Sequence, residues 1–312
     1  MEVRVRRGGM LTSVQDLGRP GRRAAGVPLG GAMDPLALRV ANLLVGNTED
    51  TPGLELTFVG PELEFATEAV VAQTGAVSVE GEGLEPWRPH LVPAGTRVRF
   101  GRLGPGCRAY LAVAGGFAVP EVLGGRGTDL RAGWGGWQGR ALRDGDVLPL
   151  APAPRPPPAG RWRVDPRLLP PYAVRPVILR ALPGAQAGEF PADWWERVFT
   201  VRPQSDRMGV RLAGAALPRA SAAELDSTAV APGTVQVPPD GQPIVLGVDA
   251  QTIGGYPQLA HVITADLPLL AQLGPGDAVS FVPTTLAAAH ASLLARERAL
   301  AVLRRGLEDK RR

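Results

Sequence analysis

Lysine is almost missing from this 312-residue chain: of 34 basic residues only Lys310 is a lysine, close to the C-terminal end. Schiff-base chemistry, a phosphate-loop lysine and a biotinylated carrier each require a lysine in a defined setting, and the body of the chain offers none. No G-x-x-x-x-G-K-[ST] run occurs. A single cysteine, Cys107, excludes an internal disulfide and a cysteine metal cluster. The three histidines, His90, His261 and His290, have no metal-ligand spacing, so no metal site is expected. Neither a G-x-S-x-G elbow nor a Ser-His-Asp set is present. No apolar run is long enough to cross a bilayer, and MEVRVRRGGM lacks the apolar core of a signal peptide. The expectation is a soluble, cytoplasmic protein without a membrane partner.

Aromatic residues are scarce at 5%, and the net charge of +4 has a local origin. Residues 296–312 hold seven basic and three acidic side chains, a surplus of four, so the rest of the chain is balanced. A nucleic-acid surface needs a clustered basic face with stacking aromatics, and neither is visible. No nucleic-acid partner is expected.

Abundant instead are glycine (40) and proline (32), in a chain whose hydrophobic content is an ordinary 45%. Short alternating runs such as LELTFVG, LEFATEAVVAQTG, CRAYLAVAGG and VRPVILRALPG are bounded by Gly or Pro, which suits half-buried strands and tight turns. Residues 32–47 form the best helical pattern. Asp34 is placed to cap it, Pro35 fits its first turn, and Gly46-Asn47 can stop it. A short helix is expected over 266–273, started by Asp266 and stopped by Gly274. A longer one is expected over 284–307, with Leu286, Leu293, Leu300 and Leu307 as a seam that packs on its own domain and is interrupted by Gly306. The proline-rich stretch APAPRPPPAG at 151–160 reads as a linker between domains at 1–150 and 161–312. Helices are too few for a doubly wound parallel sheet, so the fold class is mainly β, with two barrel-like domains.

Polar residues gather in three Gly-rich settings. Gln15, Asp16 and Arg19, followed by Asp34, make either an Asx-type turn with a helix cap or a clamp for a carboxylate or carbonyl ligand. Ser205, Asp206 and Arg207 hold an adjacent acid and base that more simply form a local ion pair. Gln236, Asp249, Gln251 and Thr252, then Gly254, Gly255 and Tyr256, place donors and acceptors at a strand end beside a Gly-Gly that admits close approach. That third set is either an internal network or a binding site. Trp134-Gly-Gly-Trp137 reads as an exposed Gly-rich hairpin or a stacking platform.

These clusters sit inside longer runs that resemble a known family. TSVQDLGRPG, GAMDPLALRVANLLVGN, LELTFVGPELEF, AYLAVAGG, GWGGWQGRALRDGD, SDRMGVRLAG, GTVQVPPDGQPIVLGVDAQTIGGYP and DLPLLAQLGPGD follow family order from about residue 11 to 282. They resemble the biotin-dependent carboxyltransferase-type domain of the 5-oxoprolinase C subunit, of urea carboxylase and of an antagonist of a sporulation-kinase inhibitor. The resemblance implies two cyclophilin-like β-barrel domains with a C-terminal helix. It also implies two protein partners, one kinase-inhibitor-like (the B subunit) and one lactam-utilisation-like (the A subunit), and ATP-dependent opening of 5-oxoproline to glutamate. ATP with Mg would act in the complex, and no covalent biotin is expected on this chain, since EDKRR around Lys310 does not resemble a biotinylated carrier. Catalytic roles fall, on this resemblance, to Arg207, Asp249, Gln251 and Thr252. Substrate binding falls to Gln15, Asp16, Arg19, Asp34, Ser205, Asp206, Gln236, Gly254, Gly255 and Tyr256. Arg207 or Arg19 would clamp a carboxylate or phosphate, and Asp249 would orient water or Mg. Ile253 departs from the second threonine the family leads one to expect, and LPGAQ at 182–186 from Pro-Gly-Pro-Gln. Two other functions fit the same resemblance: a regulator that sequesters a kinase inhibitor, and a carboxyltransferase subunit fed carboxybiotin by another polypeptide.

Overall fold

A computed structural model describes residues 1–80, 84–153, 163–165 and 168–311. It is mainly β, with three α-helices among the described residues. Two compact units emerge. The first comprises Met1–Arg19, Gly30–Tyr172 and Glu297–Arg312, and the second Pro20–Leu29 and Ala173–Arg296. Compared with domains at 1–150 and 161–312, three segments change sides. Pro20–Leu29 goes to the second unit, while the stretch from 161 to Tyr172 and Glu297–Arg312 go to the first, so the boundary falls after Tyr172 and not within 151–160. Arg39 pairs with Glu49 at 2.5 Å and with Glu297 at 2.6 Å, and Arg304 also pairs with Glu49, which ties the last helical turns into the first unit. Arg23 donates to the Val230 carbonyl, which ties the 20–29 segment into the second. Residues 154–160 of the expected linker lie outside the described residues.

In the first unit, β1 (Glu2–Arg7), β4 (Glu62–Phe65), β7 (Arg97–Arg99) and β9 (Val147–Pro149) form a four-stranded antiparallel sheet in the order β7-β4-β1-β9. A five-stranded sheet runs β2 (Leu11–Gln15), β3 (Gly53–Thr57), β8 (Leu103–Val113), β5 (Ala69–Ser78) and β6 (Pro89–Val92). Val3, Leu63, Phe65, Leu56, Val71 and Leu111, all fully buried, belong to one core cluster drawn from both sheets. Alternation on β1 and β4 has the expected period of two, whereas every residue of β3 is buried. The helix α1 (Pro35–Val45) lies against β5 and β8. Its ends are those read from the sequence: the Ala37 amide donates to Asp34 Oδ1 at 2.9 Å, and Gly46 stops it in the left-handed conformation.

Seven strands close the second unit into a barrel. In order they are β10 (Val177–Pro183), β17 (Gln258–Val262), β14 (Thr234–Gln236), β15 (Ile244–Leu246), β12 (Gly209–Ala213), β11 (Val198–Val201) and β18 (Ala278–Pro283). Closure comes from parallel pairing of β10 with β18, in a register that sets buried Val177 opposite Val279 and Leu179 opposite Phe281. Phe199, Trp194, Val235 and Leu259 fill the interior. A ribbon outside the barrel pairs β13 (Thr228–Ala229) with β16 (Ile253–Gly254).

Three helix expectations change in detail. The helix α2 covers only Leu267–Ala271 and ends at Gln272, before Gly274. Asp266 makes no side-chain cap, because its buried carboxylate takes Arg180 Nη2 at 2.6 Å and the Arg180 amide at 2.8 Å. An ion-paired guanidinium is the stronger partner for that carboxylate. The last helix, α3 (Leu286–Arg311), runs straight through Gly306. Its leucine seam is buried at Leu300 and Leu307 and exposed at Leu286.

Candidate functional site

The first group of polar residues lies in the first unit, at the end of β2. Asp16 turns the chain: its Oδ1 accepts the Gly18 amide at 2.8 Å and its Oδ2 the Arg126 amide at 2.5 Å. Gln15 is fully buried, and its Nε2 donates to Ser13 Oγ at 2.9 Å and to the Thr128 carbonyl at 3.2 Å. Its Oε1 faces Gly127 and has no hydrogen-bond partner among the described residues. Arg19 is 1% exposed. Its Nε donates to the Val122 carbonyl at 3.0 Å and its Nη2 to the Gly127 carbonyl at 2.6 Å, while the guanidinium stacks 4.2 Å over the Trp134 ring. Trp134 is therefore a platform for Arg19. The ligand clamp expected of Arg19 differs from this arrangement, in which the guanidinium holds the Gly-rich loop 122–136.

Asp34 is fully buried and has two roles in the same unit. Besides capping α1, its Oδ2 accepts the Tyr172 hydroxyl at 2.7 Å. The Asp34 amide donates to the Tyr110 hydroxyl at 2.7 Å, which donates onward to Glu55 Oε2 at 2.8 Å. Complete burial, with the Glu55 and Asp34 carboxylates close by, pushes the Tyr110 hydroxyl well above its ordinary pKa. Tyr110 thus stays neutral and bridges the two acidic residues. Sequence reasoning missed Glu55 and Tyr110, which lie within strand runs, and Tyr172, which lies in a turn.

In the second unit the structure joins Arg207 to Asp249. Their side chains are 5% and 10% exposed, and they meet through two bonds, Nε to Oδ2 at 2.7 Å and Nη2 to Oδ1 at 3.0 Å. The Asp249 amide donates to the Arg207 carbonyl at 3.2 Å and the Gly247 amide to the Met208 carbonyl at 2.8 Å. This fork-to-fork contact fixes the 205–209 turn against the residues that lead into Gln251–Tyr256. Asp206 closes the same turn by accepting the Met208 amide at 2.8 Å and the Gly209 amide at 3.1 Å. Ser205 Oγ donates to the Arg202 carbonyl at 2.8 Å and accepts the Arg211 amide at 3.0 Å.

Gln251 is exposed, and Thr252 and Gly254 are half-buried. A Cβ on Gly254 would stand 2.8 Å from Gln236 Nε2 and 3.5 Å from Gln251 Nε2, so the two amides converge on a backbone that glycine alone leaves open. Gln236 Nε2 also donates to the Tyr256 carbonyl at 3.4 Å. Ile253, the departure from the expected threonine, is 61% exposed on the ribbon.

Gly255, Tyr256 and Pro257 then form one wall of a groove of about 660 Å³. Its other walls come from 216–225 and 237–241, with Phe190 and Leu217 apolar and Arg219, Glu224 and Asp240 charged. Arg219 is held by Glu189 at 2.5 Å and donates to the Ala223 carbonyl at 2.7 Å. Tyr256, 48% exposed, is the largest aromatic surface offered there. Of the site residues expected from sequence, Gly255 and Tyr256 line this groove; Arg207 and Asp249 support the segment that carries them. The 216–225 wall was missed because ALPRASAAEL has no periodic pattern, although the PPDG turn within VQVPPDGQPIV marks the opposite wall. Among the described residues, no group of three His, Cys, Asp or Glu is arranged to hold a metal ion. No helix among them is long and apolar enough to cross a membrane.

Residues 25–283 match the model of the carboxyltransferase domain, subdomain A and B. The chain is 42% identical over 295 residues to the 5-oxoprolinase C subunit of Escherichia coli, covering 92% of that protein and 91% of this one. It is 38% identical to the 5-oxoprolinase C subunit of Haemophilus influenzae, covering 88% of each. Among solved structures, urea amidolyase of K. lactis superposes with a TM-score of 0.89 at 30% identity, over 97% of this chain. The match spans only 20% of that longer chain.

Proposed function

Because the chain belongs to the carboxyltransferase domain family, subdomain A and B, we propose that it is the C subunit of an ATP-dependent 5-oxoprolinase complex. The observation that carries this reading is the 42% identity to the E. coli protein across nearly the whole of both chains. The complex would hydrolyse 5-oxoproline to glutamate, with a kinase-inhibitor-like protein (the B subunit) and a lactam-utilisation-like protein (the A subunit) as partners.

The chemistry sets what the chain's residues have to do. An amide is a poor electrophile; ATP, held with Mg in the complex, would supply a phosphoryl group to the lactam oxygen with release of ADP. Water would then add at the activated carbon, the C–N bond would open and phosphate would leave, with glutamate as product. The protein then positions the lactam, excludes stray water and stabilises developing negative charge. The Gly254-Gly255 backbone with Gln251 and Thr252 is suited to face that charge, and Tyr256 to cover a flat ring. The Arg207–Asp249 pair acts through them: each neutralises the other, and together they hold the strand end that presents Gln251–Tyr256. Gln15, Asp16 and Arg19 likewise act by shaping the Gly-rich loop of the first unit, and Asp34 by capping α1 and taking the Tyr172 hydroxyl.

The test is coexpression with both partner proteins and an assay of 5-oxoproline-dependent ADP release. Release that vanishes when this chain is omitted supports the reading; release unaffected by its omission refutes it.

A second reading rests on the fold match to urea amidolyase. As a carboxyltransferase subunit the chain would receive carboxybiotin from another polypeptide, since its one lysine lies in the last turns of α3. Streptavidin capture of a copurifying biotinylated protein distinguishes the two.

A further inference from the structure

We infer that Arg202 and Arg211 form an oxyanion-binding subsite on the outer wall of the barrel, built to take the carboxylate or phosphate of a small molecule. Antiparallel pairing sets Thr200 opposite Ala213 and Val201 opposite Leu212, so Arg202 and Arg211 come next in register, joined by the Arg202 amide donating to the Arg211 carbonyl at 2.8 Å. Directly opposite residues share a face of the sheet, with Cβ atoms about 5 Å apart, and like charges there repel. A carboxylate would normally offset that repulsion. Yet among the described residues neither guanidinium makes an ion pair or a side-chain hydrogen bond, although other arginines of the second unit do: Arg180 with Asp266, Arg197 with Asp193, Arg207 with Asp249 and Arg219 with Glu189.

The pair is also locked in place. Ser205 Oγ spans the two backbones, donating to the Arg202 carbonyl and accepting the Arg211 amide. The Ser205-Asp206-Arg207 turn is thus the buckle that keeps the two guanidinium stems adjacent. Both arginines line a pocket of about 190 Å³, together with Gln242, Pro243 and Ile244. The Gln242 side chain is already spent on Gly214, donating at 3.2 Å to its carbonyl and accepting its amide at 3.0 Å. Asp240 also lines the pocket, with Oδ1 accepting the Gln242 amide at 3.0 Å and no ion pair to either arginine among the described residues. Two unpaired forks in a small concavity match the planar geometry of a carboxylate or phosphate.

Pro238, Asp240 and Tyr256 belong to this pocket and to the larger groove alike. A ligand whose ring or apolar body lies along Tyr256 in the groove can therefore reach the arginines with its anionic end. This inference stands whether or not the chain serves an oxoprolinase, because it rests on the unpaired charges and the shared wall alone.

The test is calorimetric titration of the full chain with 5-oxoproline, ATP and inorganic phosphate separately, at constant ionic strength set with chloride. Saturable binding of at least one of them, weakened tenfold or more in Arg202→Gln and in Arg211→Gln, is expected. Binding confined to 5-oxoproline assigns the pocket to a carboxylate, and binding of ATP or phosphate assigns it to a phosphoryl group; both support the subsite. Arg211→Lys, which keeps the charge and loses the fork, should fall between the native chain and Arg211→Gln. Melting provides the independent check, since relief of repulsion leaves ligand-free Arg211→Gln at least as heat-stable as the native chain. No binding of any of the three, or binding that both Gln variants retain, overturns the inference.

Discussion

Removing either partner of the Arg207–Asp249 pair should destabilise the second unit far more than removing both. The side chains are 5% and 10% exposed and share two hydrogen bonds at 2.7 and 3.0 Å. Truncating one partner strands the opposite charge where water reaches it poorly, at a cost of about 3–5 kcal/mol. Each kcal/mol lowers the melting temperature of a domain of this size class by about 2–4 °C, so Asp249→Ala or Arg207→Ala should melt about 6–20 °C lower. Replacing both with apolar residues of similar volume, Arg207→Met with Asp249→Leu, removes charge and countercharge together and should recover most of that loss. Thermal unfolding followed by circular dichroism, run as a double-mutant cycle, reads the coupling directly. Singles that melt within about 2 °C of the native chain would refute a buried pair of this strength. A double variant as unstable as the sum of the singles would refute its coupling.

Three further outcomes follow from particular contacts. Gly31 has φ +76°, and a Cβ there would press on the Gly18 amide and lie 2.8 Å from the Asp16 carbonyl, so Gly31→Ala should cost about 2 kcal/mol or more in urea unfolding. Tyr110→Phe removes the acceptor of the buried Asp34 amide, whereas Glu55 Oε2 keeps the Met33 amide at 2.8 Å, so about 1–3 kcal/mol in all is expected, measured the same way. His261, half-buried on β17 with Nδ1 3.3 Å from Thr234 Oγ1, is pushed by desolvation below its ordinary pKa of about 6.5. The folded chain then binds fewer protons than the unfolded one. This contribution is full above about pH 6.5 and is lost as pH falls toward the folded value; His261→Gln should flatten that part of the stability–pH curve.

Local structure was the part most legible in the sequence. Asp34, Pro35 and Gly46 mark both ends of α1 because capping depends on residues within a few positions of each other. Strand alternation and the Gly and Pro turns marked a mainly β chain for the same reason. Long-range pairing was not legible. Nothing local to Val177–Pro183 announces a parallel partner at Ala278–Pro283, and that pairing is what closes the barrel. Asp266 looked like a cap until Arg180, 86 residues earlier, claimed its carboxylate. Arg19 looked like an anion clamp because the carbonyls it holds lie 103 and 108 residues away. In the site itself, adjacency suggested a local ion pair between Asp206 and Arg207, but Arg207 pairs with Asp249, and Asp206 Oδ1 is occupied by the amides of its own turn. The cross-strand facing of Arg202 and Arg211 became visible only once the register of β11 against β12 was known.

That this chain is the C subunit of a lactam-opening complex is tested most directly by glutamate formed from 5-oxoproline. The measurement compares the reconstituted three-protein assembly, with ATP and Mg, against assemblies lacking each protein in turn, and repeats the complete one with excess avidin. Glutamate that appears in step with ADP, disappears without this chain and is indifferent to avidin is the predicted result. Glutamate formed equally well without this chain, or only while biotin is accessible, would contradict it.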